Sequence, residues 1–488
     1  MAMAMLSPRS AYGAWGDAPD AKAAGLLLPE GVRAESVLEL FLYGGLGPFE
    51  TFYVNPLHGQ PDDPNYPNQQ WWLFQEMMNS VLNDCGFTGD ALEEFGTDSA
   101  GATISLGPLV SPIRQRPDIR SRMRILVQHH TLEPHEAAIP LAMSGMRLGS
   151  SRMAGIGTHL QRYFQERDNS GRRVPYSYVL YPDSEIPTDN LRAASAVGLH
   201  PGSARPLDLR IEAQSRLPSM LARANINDRD AYDALTAHYI ARMRARYTYE
   251  GAAVRSRSLG DHSFSYEAIR DSESLRAVFT DEVLANLDGE SCDDYNYTDT
   301  TAMGIRIAAH LLTHPISPAR HVTVVDGGLI PAAGGGGFDT HEYHLTDQAR
   351  NLNSTLRSLC NSINEPGEGD PTKIDLDKTM IVLNTEFGRT PYLQEGSYAG
   401  TNHFPYGYVT VLIGGPITEE QQGIVGAIGP DAEATTYVSP SESRAAVLAA
   451  MGIYPFTQES FAVGDIRDVG TERDGLAWLN EVVLGRAE

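Results

Sequence analysis

The sequence predicts an α/β fold, with a mostly parallel central sheet, helices on both faces and a helical insertion. Several short runs of β-branched and aromatic residues end in glycine, an acid or histidine. Their nearly continuous apolar character is typical of strands that are buried on both faces. Patterns with helical spacing lie between the runs, and strands that alternate with helices indicate a sheet of this kind.

Six runs are predicted as strands of this sheet, at 36–45, 124–130, 176–182, 320–328, 378–388 and 407–415. The clearest helix is predicted over 341–364, where apolar residues recur at steps of four and three. A second helix is predicted over 441–453, which opens with a serine that can cap it. These elements alternate along the chain, as the predicted fold requires.

The domain organisation follows from changes in composition. Residues 1–35 are predicted to be an N-terminal arm, and residues 36–488 a single α/β domain. Residues from about 205 to 315 are rich in arginine and alanine and contain no strand run, so we expect a helical insertion there. No apolar run reaches the ~20 residues of a membrane-spanning helix.

The charge of the chain limits its partners. Its 38 basic and 62 acidic residues give a formal net charge of −24, which argues against nucleic acid as the main partner. We therefore expect a small molecule as the ligand. The sequence leaves a homo-oligomer open.

Carboxylates and histidines cluster after the predicted strands. They are Glu50 and Thr51 after the first strand, His129, His130 and His135 after the second, Asp339 and His341 after 320–328, Glu386 and Arg389 after 378–388, and then Asn402 and His403. In an open α/β sheet, ligands bind at the carboxyl ends of the strands. Four glycines, 334–337, precede Asp339 and predict a loop that delivers this residue into a site.

These residue types indicate a divalent metal ion. Carboxylate oxygens and imidazole nitrogens without thiolate suit Zn²⁺, Mn²⁺, Fe or Mg²⁺, and Ca²⁺ if oxygen dominates. An arginine beside such a centre is the usual partner of a phosphate or sulfate group, a role that Arg389 could fill. The alternative for Arg389 is an ion pair with a neighbouring carboxylate.

Several motifs resemble a known family. "LFLYGGLGPFETF", "HVTVVDGG", "GGFDTHEYH", "DKTMIVLNTEFGRT" and "GTNHFPYG" occur in the order found in the domain of unknown function 1501 family, from about residue 36 to the C-terminus. That family is similar to the alkaline phosphatase and sulfatase superfamily. The resemblance implies an alkaline-phosphatase-like sandwich with metal ions at the strand ends. It also implies export to the periplasm or cell surface, although the N-terminus shows no signal peptide and a cytoplasmic location stays open.

The resemblance also implies roles for single residues. The metal ligands would be Glu50, Asp339, His341, Glu386 and His403, with Arg389 and Asn402 binding substrate. Glu50 stands in place of the usual aspartate, and Asn402 stands where an acid is common. The position of the sulfatase nucleophile falls on His135. This residue could attack phosphorus as a nucleophile, act as general base or bind metal.

These expectations combine into two hypotheses of function. The first is a metal-dependent hydrolase of phosphate or sulfate esters, with His135 and Arg389 as catalytic residues. The second is a catalytically altered member of the family that binds an anion or a metal ion, or that acts in an assembly. We further expect His135 to begin a helix and to be mostly neutral there, because a helix N-terminus disfavours imidazolium.

Overall fold

The strands of the central sheet were largely predicted from the sequence. A computed structural model describes residues 14–58, 92–167, 177–182, 204–211, 228–249, 276–287, 299–329, 337–397, 399–467 and 469–486. Its strands, in chain order, are β1 Ser36–Leu42, β2 Glu93–Thr97, β3 Thr103–Leu106, β4 Met123–Gln128, β5 Ser177–Pro182, β6 Leu207–Ile211, β7 His321–Asp326, β8 Thr379–Asn384, β9 Gly388–Arg389, β10 His403–Phe404, β11 Tyr408–Gly414, β12 Gly423–Val425, β13 Ala427–Ile428 and β14 Ala434–Thr436. All six predicted runs are confirmed as strands, each one to five residues shorter than its run.

One sheet holds eight of these strands, in the order β12-β4-β11-β8-β1-β7-β5-β6. All neighbouring pairs are parallel except those of β11, which runs antiparallel to both β4 and β8. The mostly parallel sheet is therefore confirmed. The remaining strands pair as three antiparallel couples, β2 with β3, β9 with β10 and β13 with β14.

Helices cover both faces of the sheet. The described α-helices are α1 Ala21–Ala24, α2 Ser111–Arg114, α3 Pro117–Arg120, α4 His135–Ser144, α5 Ile156–Arg167, α6 Arg229–Tyr249, α7 Thr300–Thr313, α8 His344–Asn361, α9 Pro440–Ala450 and α10 Glu472–Trp478. Leu38 and Leu40 of β1 share one core with α7 and α8, whereas Val37 belongs to a second core with α5 and α9. Because successive side chains of a strand point to opposite faces, these two cores lie on opposite sides of the sheet.

Both predicted helices are confirmed, with shifted boundaries. The pattern over 341–364 corresponds to α8, and the pattern over 441–453 corresponds to α9. The residue that caps α9 is Ser439, outside the predicted segment. Its side chain accepts a hydrogen bond from the backbone N–H of Glu442, whose own side chain returns to the Ser439 N–H. This reciprocal pair of hydrogen bonds explains why the helix starts one residue earlier than predicted.

The expectation that residues 205–315 contain no strand is wrong, because β6 lies there and pairs in parallel with β5. The same stretch contains α6, and α7 packs against β7. Residues 212–227, 250–275 and 288–298 of the predicted insertion lie outside the described residues, as do 1–13 of the predicted arm. Within the described ranges, no helix has the length and apolar character needed to cross a membrane.

Candidate metal centre

The polar residues predicted from the sequence converge at one edge of the sheet. The parallel strands β1, β4, β7 and β8 end at the same edge, and the antiparallel β11 begins there. Asp339 follows β7, Glu386 follows β8, His135 follows β4 and His403 precedes β11. The chain therefore brings four segments that are remote in sequence to one place.

Asp339 lies at the centre of this site and is 4% exposed. Its Oδ1 is 2.9 Å from Nε2 of His341 and 3.0 Å from Nε2 of His403. Its Oδ2 is 3.3 Å from Nε2 of His135. Three imidazole rings thus direct the same nitrogen at one carboxylate, as predicted for Asp339, His341 and His403.

The opposite nitrogen of each ring faces an acceptor. Nδ1 of His135 is 2.8 Å from Oε1 of Glu386, and Nδ1 of His403 is 3.1 Å from the carbonyl oxygen of Glu133. Nδ1 of His341 is 2.9 Å from Oε1 of Gln394. A carbonyl or carboxylate oxygen only accepts, so Nδ1 donates in His135 and in His403. Nδ1 of His341 lies between the Gln394 amide and Nη2 of Arg389, which is 3.5 Å away. Each Nε2 is then the atom that meets Asp339 through either a second proton or a metal ion.

The arrangement fits a divalent metal ion. One ligand atom each from His135, Asp339 and His403 lies within 4.8 Å of the others, and Nε2 of His341 is 3.3 Å from Nε2 of His403. Ligands about 2.0–2.1 Å from a tetrahedral Zn²⁺ are roughly 3.3 Å apart. The contact of the buried Nε2 of His135 with Oδ2 of Asp339, at 3.3 Å, is longer and less well aligned than an ordinary hydrogen bond. The separation of these two atoms matches a shared metal ion better than a direct hydrogen bond.

The histidines that surround Asp339 are held by aromatic rings and remain partly open to solvent. Tyr43 stacks on His135 at 5.3 Å between ring centroids, and Phe387 stacks on His403 at 4.4 Å. The side chains of His135, His341 and His403 are nevertheless 18%, 24% and 20% exposed. A metal ion that is accessible to solvent and held by histidine and a carboxylate is typical of catalytic centres, whereas structural centres are closed.

The site is acidic, and its negative charge raises the pKa of His135. Burial disfavours the imidazolium of His135, but the hydrogen bonds and charges of Asp339 and Glu386 outweigh it and raise its pKa to about 10. The expectation of a neutral His135 is therefore wrong for the metal-free chain. The partial positive charge of a helix N-terminus is about half an elementary charge, and two adjacent carboxylates exceed it. The expected helix start is confirmed, since α4 begins at His135.

The charge of Asp339 is strongly stabilised. Burial alone would raise the pKa of its carboxyl. The hydrogen bonds from His135, His341 and His403 and the charge of Arg389 instead hold that pKa far below its ordinary value. Asp339 therefore stays ionised over the whole range in which proteins fold, as a metal ligand must.

Arg389 forms an ion pair with Asp339. Its side chain is fully buried, and its Nη1 donates to Oδ1 of Asp339 at 2.7 Å and to the carbonyl oxygen of Gly44 at 3.2 Å. Its Nε donates to Oγ1 of Thr401 at 3.2 Å, and its Nη2 donates to the carbonyl oxygen of Thr401. The ion pair that the sequence analysis gave as the alternative for Arg389 is therefore present, and its predicted contact with an oxyanion stays a prediction.

Two of the expected metal ligands have other partners. Glu386 is fully buried, and its Oε1 accepts hydrogen bonds from Nδ1 of His135 and from the backbone N–H of Gly44, both at 2.8 Å. Carboxylates in this position orient a ligating histidine from behind. Glu50 is buried and contacts Nε2 of His344, a residue that our sequence analysis did not identify although it belongs to the "FDTHEYH" motif.

The other strand-end residues support the site from outside. The buried His130 donates from Nε2 to the carbonyl oxygen of Glu386 at 2.7 Å, and burial lowers its pKa to about 4. The ring of His129 packs against those of Tyr406 and Tyr437, with 6.2 and 4.7 Å between the ring centroids. Thr51 is buried and donates to the carbonyl oxygen of Gly47. The exposed Asn402 accepts from the backbone N–H of His403, so its predicted contact with substrate remains a prediction.

Glycine permits the close approach of two loops in this site. Gly44 has φ of +108°, and a Cβ atom there would lie 2.0 Å from the backbone nitrogen of Asp339. Of the four glycines before Asp339, only Gly337 belongs to the described residues, and its φ is +62°. The carbonyl oxygen of Tyr43 accepts from the N–H of Phe338 at 2.7 Å. The predicted inward orientation of Asp339 is therefore confirmed, while the path of 334–336 lies outside the described part.

Comparison with protein-family models gives one assignment. The model described as "Protein of unknown function (DUF1501)" matches residues 34–465, which include every residue of the site. Neither the curated proteins nor the solved structures give a match.

Proposed function

This chain belongs to the DUF1501 family, and from its site we propose that it is a metal-dependent hydrolase of phosphate or sulfate esters. The observation that carries the proposal is the convergence of Nε2 from His135, His341 and His403 on the carboxylate of Asp339. The ester class rests on the resemblance of the strand-end motifs to the alkaline phosphatase and sulfatase superfamily. The expected partner is therefore a small anionic ester.

The residues that would hold the ion are His135, Asp339 and His403, with His341 as a fourth ligand. The chemistry that a divalent ion supplies in such a site is Lewis acidity toward an ester oxygen and activation of water. Glu386 holds the proton on Nδ1 of His135 and keeps the Nε2 lone pair directed at the centre. Arg389 neutralises one carboxylate charge and fixes the orientation of Asp339.

The charge balance supports a cation over an anion as the first ligand of this site. Asp339, Glu386 and Glu50 contribute three carboxylates, and the buried guanidinium of Arg389 pairs with the first of them. A divalent ion would offset the remaining negative charge. A substrate anion would then bind to the ion and not to the protein carboxylates.

The second candidate is a metal-binding protein without turnover. The four hydrogen bonds from Arg389 to Asp339, Gly44 and Thr401 favour it, because they leave this arginine one N–H at most with which to stabilise a phosphoryl or sulfuryl group. The two candidates share the metal centre and differ in ester hydrolysis.

Elemental analysis of the purified chain followed by metal titration tests the shared part. We expect one divalent ion per chain, and a loss of affinity of at least about 100-fold in His403→Gln, since even residues behind the ligands contribute 10–100-fold. His129→Gln, which changes a neighbouring histidine outside the centre, should retain the ion.

Turnover of aryl phosphate and aryl sulfate esters by the metal-loaded chain then separates the candidates. Hydrolysis that is lost in His403→Gln and retained in His129→Gln supports the hydrolase. Metal binding without hydrolysis of either ester supports the second candidate. A chain that binds no divalent ion contradicts both.

A further inference from the structure

The residue that the sequence suggested as a metal ligand, Glu50, begins a buried chain of hydrogen bonds that ends at Asp339. His344 is the next member, and its Nε2 contacts Oε1 of Glu50. Nδ1 of His344 lies 3.0 Å from Oγ1 of Thr401, and Thr401 accepts from Nε of Arg389 at 3.2 Å. Arg389 then donates to Oδ1 of Asp339 at 2.7 Å. Four contacts thus connect Glu50 with the centre.

The direction of each hydrogen bond follows from its chemistry. Arg389 only donates, so Oγ1 of Thr401 accepts from it and has its own proton to give to Nδ1 of His344. Nδ1 of His344 then accepts, and its Nε2 carries the ring proton toward the Glu50 carboxylate. The single lone pair of Nδ1 is shared by two hydroxyls, because Oγ1 of Thr340 lies 2.7 Å from the same atom. All the bonds run consistently from the cation Arg389 to the anion Glu50.

The hydrogen bonds from Glu50 to Asp339 are buried throughout, which makes it costly to break any one of them. Glu50 is 5% exposed, His344 is 1% exposed, and Thr401 and Arg389 are fully buried. Buried networks in which every member is satisfied hold their members in one arrangement, because a group that loses its partner remains unsolvated. The carboxylate of Glu50 also influences Arg389 electrostatically, as do Asp339 and Glu386.

We propose that Glu50, His344 and Thr401 are positioning residues for the metal centre, acting through Arg389 on the orientation of Asp339. This inference rests on the proposed metal-binding function. Without the Thr401 hydroxyl, Nε of Arg389 loses its acceptor, and only Nη1 and Nη2 then fix the position of the guanidinium that supports Asp339. The expected effect is weaker and altered metal coordination without loss of any ligand.

Thr401→Val and Thr401→Ser form the matched pair that tests the proposal. Valine keeps the shape of threonine and removes the hydroxyl, whereas serine keeps the hydroxyl. The control is Thr379→Val, which removes another buried hydroxyl, 3.0 Å from Ser36, at the amino edge of the sheet. The probe is Co²⁺ added to the metal-free full-length chain. Its affinity and visible absorption spectrum report coordination independently of turnover.

We expect Thr401→Val to bind Co²⁺ about 10–100-fold more weakly, with a changed spectrum, which is the range for residues behind metal ligands. Thr401→Ser should restore the wild-type spectrum and an affinity near that of the wild type, and Thr379→Val should change neither. Wild-type affinity and spectrum in Thr401→Val overturn the inference alone. A wild-type chain that binds no Co²⁺ overturns the proposed function and this inference together.

Thermal unfolding of each metal-free variant distinguishes a local effect from general damage. A Thr401→Val chain that unfolds at the temperature of Thr379→Val, but binds Co²⁺ more weakly, supports positioning. If the two valine variants lose stability and Co²⁺ affinity in parallel, the contribution of Thr401 is only structural and the inference fails.

Discussion

Replacing His135 with glutamine tests the electrostatics of the site in the metal-free chain. The pKa of His135 is raised from 6.5 to about 10, because Asp339 and Glu386 outweigh the effect of burial. A group with a raised folded-state pKa stabilises the protein fully below pH 6.5, and this contribution is lost as the pH rises through about 10. In that window the folded chain holds a proton that the unfolded chain has released.

The magnitude follows from the pKa difference. Each pH unit in the window changes the free energy of unfolding by about 1.4 kcal/mol for one such group. Between pH 7 and pH 9, the wild-type chain should therefore lose about 3 kcal/mol more than His135→Gln. Glutamine suits the comparison because it retains a polar side chain beside Glu386 and does not titrate.

Urea unfolding in the presence of a chelator, at pH 7, 8 and 9, measures the difference. His159→Phe is the control, because burial lowers the pKa of His159 to about 3 and the residue is mostly neutral in both the folded and the unfolded chain over this range. Phenylalanine also preserves the stacking on Trp15. The stability difference between wild type and His159→Phe should stay constant with pH. Parallel pH profiles for wild type and His135→Gln would refute the assigned protonation of His135.

Two further predictions concern the same site. Zn²⁺ binding at pH 7.5 should release about one proton per ion from His135, and the apparent affinity should rise about tenfold per pH unit between pH 7 and 9. Calorimetry in buffers of different ionisation enthalpy measures this release, which should disappear in His135→Gln. Gly44→Ala should destabilise the chain by about 2–5 kcal/mol through positive φ and a clash with Asp339, whereas Gly101→Ala, with positive φ and open space, should cost about 1–2 kcal/mol in urea unfolding.

The fold was predicted where strands are buried on both faces and missed at the edges of the sheet. The interior strands read as continuous apolar runs, and each was identified. β6 and β12 lie at the two ends of the sheet order. β6 alternates charged and apolar residues in "LDLRI" because it is only partly buried, and β12 has three residues. Neither carries the continuous apolar signal from which buried strands are recognised.

The site was predicted as a set of residues more accurately than as a set of roles. Position after a strand places a residue at the carboxyl edge, and this holds for Asp339 and His341, whereas His403 lies there because it precedes the antiparallel β11. The position of a residue after a strand does not indicate how deeply its side chain is buried. Glu386 and Glu50 occupy the same edge as the proposed ligands. Glu386, however, accepts from Nδ1 of His135, and Glu50 contacts Nε2 of His344. Those contacts depend on residues that are remote in sequence.

The roles of His135 and the metal ion are connected by charge. Asp339 and Glu386 both approach His135, and Arg389 pairs only with the first of them. The raised pKa of His135 shows that the site holds a proton to compensate for this excess of negative charge. A divalent ion that coordinates Nε2 provides the same compensation and must displace that proton. In the proposed function, proton and metal ion would therefore compete for one nitrogen, and the acidity that makes His135 hard to deprotonate would also attract the ion that replaces the proton.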